Sequence, residues 1–127
     1  MAKTVVVIDD DQDDLELMKL ALNDVDSSLL CLSFVYPEEA LRMLFSKELI
    51  VLPDHIFIDI NMPRMTGDKC LKMLRTRRDF DHIKITLYST SMPDTVAEAL
   101  KLQGANHVFE KPVRLKSYSE ILQSIIA

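Results

Sequence analysis

The sequence predicts an α/β fold: a doubly wound, five-stranded parallel sheet with helices on both faces. Short apolar, β-prone runs alternate with segments whose apolar residues recur at helical spacing, in the order βαβαβαβαβα. Strands separated by helical crossovers pair in parallel. The first run is nearly continuous Val and Ile, as in strands buried on both faces. Four of the runs also end on residues that carry chemistry: Asp9, Asp10 and Asp11; Asp59; Ser89, Thr90 and Ser91; and Lys111. In open α/β sheets ligands bind at that carboxyl edge.

Residues 3–9 read as the first strand. From Asp11 the pattern changes: Leu15, Met18, Leu22 and Val25 recur at helical spacing behind an acid-rich first turn, as a helix dipole favours. Residues 24–28 are turn-like, and residues 29–36 form the second strand. Pro37 suits a first helical position, with Ala40, Leu41, Leu44 and Phe45 on one face of the helix that follows. Residues 49–52 read as an apolar connector, because Pro53 follows at once. Ile56, Phe57 and Ile58 make the third strand, ending on Asp59. Pro63 and Gly67 force a loop, and Thr66 or Gly67 opens a helix carrying Cys70, Leu71 and Leu74. Residues 79–82 break it. Residues 83–89 are the fourth strand. Pro93 and Asp94 start a helix with Val96, Ala99, Leu100 and Gln103, and Gly104 sits where a left-handed C-terminal residue belongs. Residues 107–111 are a short fifth strand. Leu115, Tyr118, Leu122 and Ile125 mark the last helix.

A chain of 127 residues with 48% hydrophobic content supports one core, so residues 1–127 are expected to form one domain. A net charge of -5 argues against direct nucleic-acid binding. Arg75, Arg77 and Arg78 read as a helix C-terminus complementing its dipole. Cys31 and Cys70 lack zinc or disulfide spacing and read as core thiols of a reducing compartment. His55, His82 and His107 share no ligand spacing and read as structural. No signal peptide and no membrane-length apolar run occurs, so a soluble cytoplasmic protein without membrane insertion is expected.

Asp9-Asp10 after the first strand, Asp59-Ile60-Asn61-Met62-Pro63 after the third, Ser89 and Thr90 after the fourth and Lys111-Pro112 after the fifth together resemble a CheY-like response-regulator receiver domain. The resemblance covers essentially the whole chain and is to single-domain regulators with no output domain. It implies strand order 2-1-3-4-5 and a signalling receiver that catalyses only its own phosphorylation and dephosphorylation. It implies Asp59 as phospho-acceptor, Mg²⁺ as cofactor held by Asp10, less directly Asp9, Asp59 and the Asn61 backbone carbonyl, and Ser89 as the switch hydroxyl beside Thr90. Lys111 would contact the phosphoryl group, with a cis Lys111–Pro112 peptide. The implied partners are a histidine kinase or histidine phosphotransfer protein and an unidentified downstream protein, the chain itself being a monomer or weak dimer.

The residue chemistry suits that reading. An aspartyl carboxylate forms a labile mixed anhydride. Phosphoryl transfer needs mostly positioning and charge stabilisation, which Mg²⁺ on oxygen ligands and a compact lysine charge provide. Asp11, Asp13 and Asp14 read instead as helix N-terminal charge on a solvated turn. An aspartyl phosphatase would carry a second acid where Asn61 stands. A flavodoxin-like cofactor protein would carry a Gly/Ser/Thr-rich loop where the acids 9–14 stand. A binding module that is never phosphorylated remains an alternative on the same fold. One departure from the family pattern stands out: the switch aromatic expected three residues before the lysine is Val108. Phe109 has the opposite strand parity, so an aromatic gate is expected to be absent.

Overall fold

The computed structural model describes residues 3–48 and 52–127; the connector assigned to residues 49–52 lies, apart from Leu52, outside them. The apolar runs become strands β1 (Thr4–Ile8), β2 (Leu30–Phe34), β3 (His55–Asp59), β4 (Lys84–Ser89) and β5 (His107–Glu110) of one sheet, parallel throughout and ordered 2-1-3-4-5. The helices are α1 (Gln12–Val25), α2 (Pro37–Ser46), α3 (Gly67–Leu74), α4 (Asp94–Leu102) and α5 (Leu115–Ile126). Central strands β1 and β3 are buried at every position.

Strand alternation divides the core in two. Val5, Val7, Phe57, Tyr88 and Phe109 face α1 and α5. Val6, Ile8, Ile56, Ile58, Ile85 and Leu87 face α2, α3 and α4. The same parity assigns the strand ends. Asp9, Asp59 and Lys111 continue the α1/α5 rows, and Ser89 continues the other.

Local signals account for the helix ends. Asp11 caps α1, its carboxylate accepting from the Asp13 and Asp14 amides. Pro37 is the first residue of α2. Gly67 opens α3 against the end of β3, where a Cβ would lie 2.5 Å from the Asp59 carbonyl oxygen. Only glycine admits that approach. Its amide donates to the Ile60 carbonyl at 2.9 Å, tying α3 to the loop behind Asp59. Gly104 takes φ +113° after α4, the conformation its position predicted.

Several expectations are corrected. Residues 79–82 do not merely break α3: Arg78–Phe80 is a 3₁₀ turn that buries Phe80. Arg75 does more than complement a dipole. Its guanidinium donates to the carbonyls of Gly104 (3.0 Å), Phe80 (3.0 Å) and Ile83 (2.9 Å) and to Asn106 Oδ1 (2.9 Å), clamping the approaches to β4 and β5. Arg77 lies over the Phe45 and Phe80 rings. In α4 only Leu100 is buried, while Val96 is exposed and Leu102 is 90% exposed. That helix covers the margin of the sheet, so one narrow stripe meets the core. In α5 the buried residues are Tyr118, Leu122 and Ile126; Ile125 is half-buried and Leu115 is exposed. The Lys111–Pro112 peptide is trans, the isomer an X-Pro bond intrinsically prefers.

Candidate functional site

The carboxyl ends of β1 and β3 lie side by side at the centre of the sheet, next to the point where strand order reverses, the usual ligand position of such sheets. Asp9, Asp10 and Asp59 each offer an oxygen there, all within 4.8 Å of one another. A cavity of about 240 Å³ opens on them, lined by Asp10, Asp11, Asp14, Asp59, Asn61, Thr90 and Lys111.

The acids are not equivalent. Asp9 is fully buried and both its oxygens are engaged. Oδ1 accepts from the Asp11 amide at 3.0 Å and Oδ2 from the Tyr88 hydroxyl at 2.9 Å. Asp10 is exposed. Asp59 is buried, its Oδ1 3.5 Å from Lys111 Nζ and 3.4 Å from the Asn61 amide. Burial pushes the Asp9 carboxyl up to about 6, with the neighbouring Asp59 charge adding to the rise; the Asp11 amide and Lys111 oppose it. Burial raises Asp59 too, against the pull of Lys111 and the Asn61 amide. Lys111 shows the reverse balance. Burial alone would lower it, but a hydrogen bond to Asp14 and the charges of Asp9 and Asp59 leave it raised. The lysine is therefore an ammonium throughout the neutral range.

An aromatic stack supports the lysine. Its Nζ lies 5.0 Å from the centre of the Tyr88 ring, which stacks on Phe109 at 5.4 Å. Phe109 in turn meets Tyr118 edge-on at 5.8 Å. Burial and the nearby Asp9 hold the Tyr88 hydroxyl well above its ordinary pKa, so it stays protonated and donates. On the other parity, Ser89 is buried and its Oγ accepts from Asn61 Nδ2 at 2.8 Å. Thr90 lies exposed at the rim. Val108 is half-buried on the α4 side, whereas Phe109 belongs to the core facing α1 and α5, as strand parity predicted.

All the residues singled out from sequence thus converge on one edge: Asp9, Asp10, Asp59, Asn61, Ser89, Thr90 and Lys111. Two that sequence reasoning left out join them. Asp14, assigned to a solvated turn, places its Oδ2 2.7 Å from Lys111 Nζ. Its position was legible, because residue 14 lies four before the buried Met18 and so shares its helix face. Tyr88, opposite Asp59 in the β3–β4 register, reaches past it to Asp9. The histidines stay apart from this edge: His55, His82 and His107 gather around the opposite end of the sheet. Cys31 and Cys70 are free thiols, and burial pushes Cys70 up to about 11, leaving it inert.

Three mutually repelling carboxylates, two of them buried, converge as hard oxygen donors and match what Mg²⁺ accepts, and soft ligands are absent from the cluster. The fold and this edge define a class of doubly wound α/β proteins whose functional groups come from the carboxyl ends of the strands. The chain belongs to the response regulator receiver domain family, whose family model matches residues 5–123; it is a CheY-like receiver of two-component signalling. The structure is similar to that of the phosphorylated cyanobacterial phytochrome response regulator RcpA (TM-score 0.86, 20% identity, 98% of this chain and 91% of that one). It is also similar to the Mn²⁺-bound form of response regulator Rcp1 (TM-score 0.82, 21% identity, 97% and 91%). A stretch of 62 residues is 34% identical to part of hybrid signal transduction histidine kinase D of Dictyostelium discoideum, spanning 49% of this chain but 4% of that protein. Among the described residues, no helix is long and apolar enough to cross a membrane.

Proposed function

We propose that this receiver accepts a phosphoryl group on Asp59 from a phosphohistidine donor, in a reaction that requires Mg²⁺, and signals by a change of conformation. The observation that carries the reading is the meeting of Asp59 with Asp9, Asp10 and Lys111 at one edge, with oxygens within 4.8 Å and an ammonium 3.5 Å from the acceptor oxygen. An Asp59 oxygen attacks phosphorus. A P–O bond forms, the P–N bond of the phosphohistidine breaks, and the histidine nitrogen leaves with the electron pair. Asp9, Asp10, Asp59 and the Asn61 carbonyl would hold Mg²⁺, which when bound offsets the charge gathered around the transferring group. Lys111 neutralises one phosphoryl oxygen and the Ser89 hydroxyl donates to another, leaving its bond to Asn61.

The message then leaves through Ser89, Thr90 and the loop into α4, since Val108 offers no aromatic gate. The outlet is the face of α4, β5 and α5, where Val96, Leu102, Val113 and Leu115 stand exposed. A protein target reads that face. Intact-mass spectrometry after incubation with acetyl phosphate and Mg²⁺ tests the acceptor: wild type gains one phosphoryl mass and Asp59→Ala gains none. Equal labelling of both sinks the assignment.

A further inference from the structure

The proposed lysine of the phosphoryl site is already occupied. Lys111 Nζ, on a side chain only 9% exposed, lies 3.5 Å from the oxygens of Asp9 and Asp59 but 2.7 Å from Asp14 Oδ2. The short, charge-assisted bond therefore goes to Asp14, and the contacts to the other acids sit at the limit of hydrogen bonding. Asp14 is not one of the three acids whose oxygens cluster within 4.8 Å, yet it lines the same cavity as Asp59 and Lys111. The first turn of α1 fixes it there: its amide donates to the Asp11 carboxylate, and Met18 one turn on is fully buried.

We infer that Asp14 is a positioning residue that acts through Lys111: its carboxylate holds the ammonium beside the acceptor and competes for it with an incoming phosphoryl group. The inference rests on the phosphoryl-site reading above. An anion bound at Asp59 must draw Lys111 from Asp14, so Asp14 lowers the site's affinity for the anion. Through its negative charge the same carboxylate raises the affinity for a cation beside it. Removing it moves the two affinities in opposite directions. Loosened local structure would weaken both.

The test is beryllofluoride binding in the presence of Mg²⁺, with Mg²⁺ affinity measured separately, on wild type, Asp14→Asn and Asp13→Asn. Asp13 lies exposed in the same turn and controls for the loss of charge alone. Asp14→Asn is expected to bind beryllofluoride roughly two- to fivefold more tightly, the scale of one partly exposed ion pair, and Mg²⁺ more weakly. Asp13→Asn is expected to change the anion affinity little. A ¹⁵N spectrum of the lysine ammonium groups reports the contact without any ligand: the protected Lys111 signal of wild type disappears in Asp14→Asn and persists in Asp13→Asn. Unchanged or weaker anion binding by Asp14→Asn, equal tightening by Asp13→Asn, or an unaltered Lys111 signal overturns the inference alone. Failure of wild type to bind beryllofluoride overturns the phosphoryl-site reading and this inference with it.

Discussion

Replacing Asp9 with Asn should make the metal-free protein more stable, although Asp9 is buried, hydrogen-bonded and part of the site. Raising the Asp9 carboxyl from its ordinary 3.8 to about 6, at about 1.4 kcal/mol per pH unit, costs the ionised folded state up to about 3 kcal/mol above pH 7. The direction follows from proton counts. Between pH 4 and pH 6 the folded chain keeps a proton that the unfolded chain releases, so stability falls as pH rises through that window and then levels off. Asn has nearly the same shape and no charge. Its oxygen can accept from the Asp11 amide, and its nitrogen can donate to the Tyr88 hydroxyl, which can rotate to accept. The attraction of Lys111 is already included in that cost, so a net gain of about 1–3 kcal/mol is expected at pH 7.5, shrinking by about half at pH 5. Urea denaturation at both pH values, with and without Mg²⁺, measures this. Added Mg²⁺ should stabilise wild type by mass action and Asp9→Asn much less. A variant that is less stable than wild type at pH 7.5, or whose gain is the same at both pH values, would refute the view of Asp9 as strained charge.

Three further outcomes are expected. Arg75→Ala should lose about 2–4 kcal/mol in urea denaturation, because one charged group bridges three carbonyls and Asn106; a loss below about 0.5 kcal/mol would make the clamp incidental. Lys111→Ala should bind Mg²⁺ at least as tightly as wild type, because an ammonium 3.5 Å from Asp9 and Asp59 is gone, yet respond poorly to phosphorylation; a wild-type response would mean the lysine plays no part. In hydrogen exchange with beryllofluoride, Ser89→Ala should suppress the changes across residues 89–104 while Val108→Ala leaves them nearly intact, and the opposite pattern would place the route through Val108.

Much of the fold was legible because several independent signals agreed. The strand runs, the Pro37 and Gly104 punctuation and the parity of Phe109 against Val108 each translate directly into backbone geometry. The edge that gathers Asp9, Asp10, Asp59, Ser89 and Lys111 was legible for the same reason: each residue terminates a strand run, and parallel strands end together. What escaped depends on side-chain reach. Tyr88 reads in sequence as one more apolar strand residue, and only the sheet order lets its hydroxyl pass Asp59 to meet Asp9. Asp14 was hidden among neighbouring acids, where composition suggested solvent although helical phase pointed inward. The exposure of Val96 and Leu102 reflects where α4 sits on the sheet margin, which no local pattern encodes. Arg75 serves carbonyls that come together only in the folded loops.

The central claim is that Asp59, among five acids gathered at one edge, is the phosphoryl acceptor. Borohydride reduction after reaction with acetyl phosphate, followed by peptide mapping, locates the acyl phosphate directly. Reduction at residue 59 alone, and only when Mg²⁺ is present, is the expected result. Reduction at Asp10 or Asp14, or labelling of Asp59 that is indifferent to Mg²⁺, would contradict it.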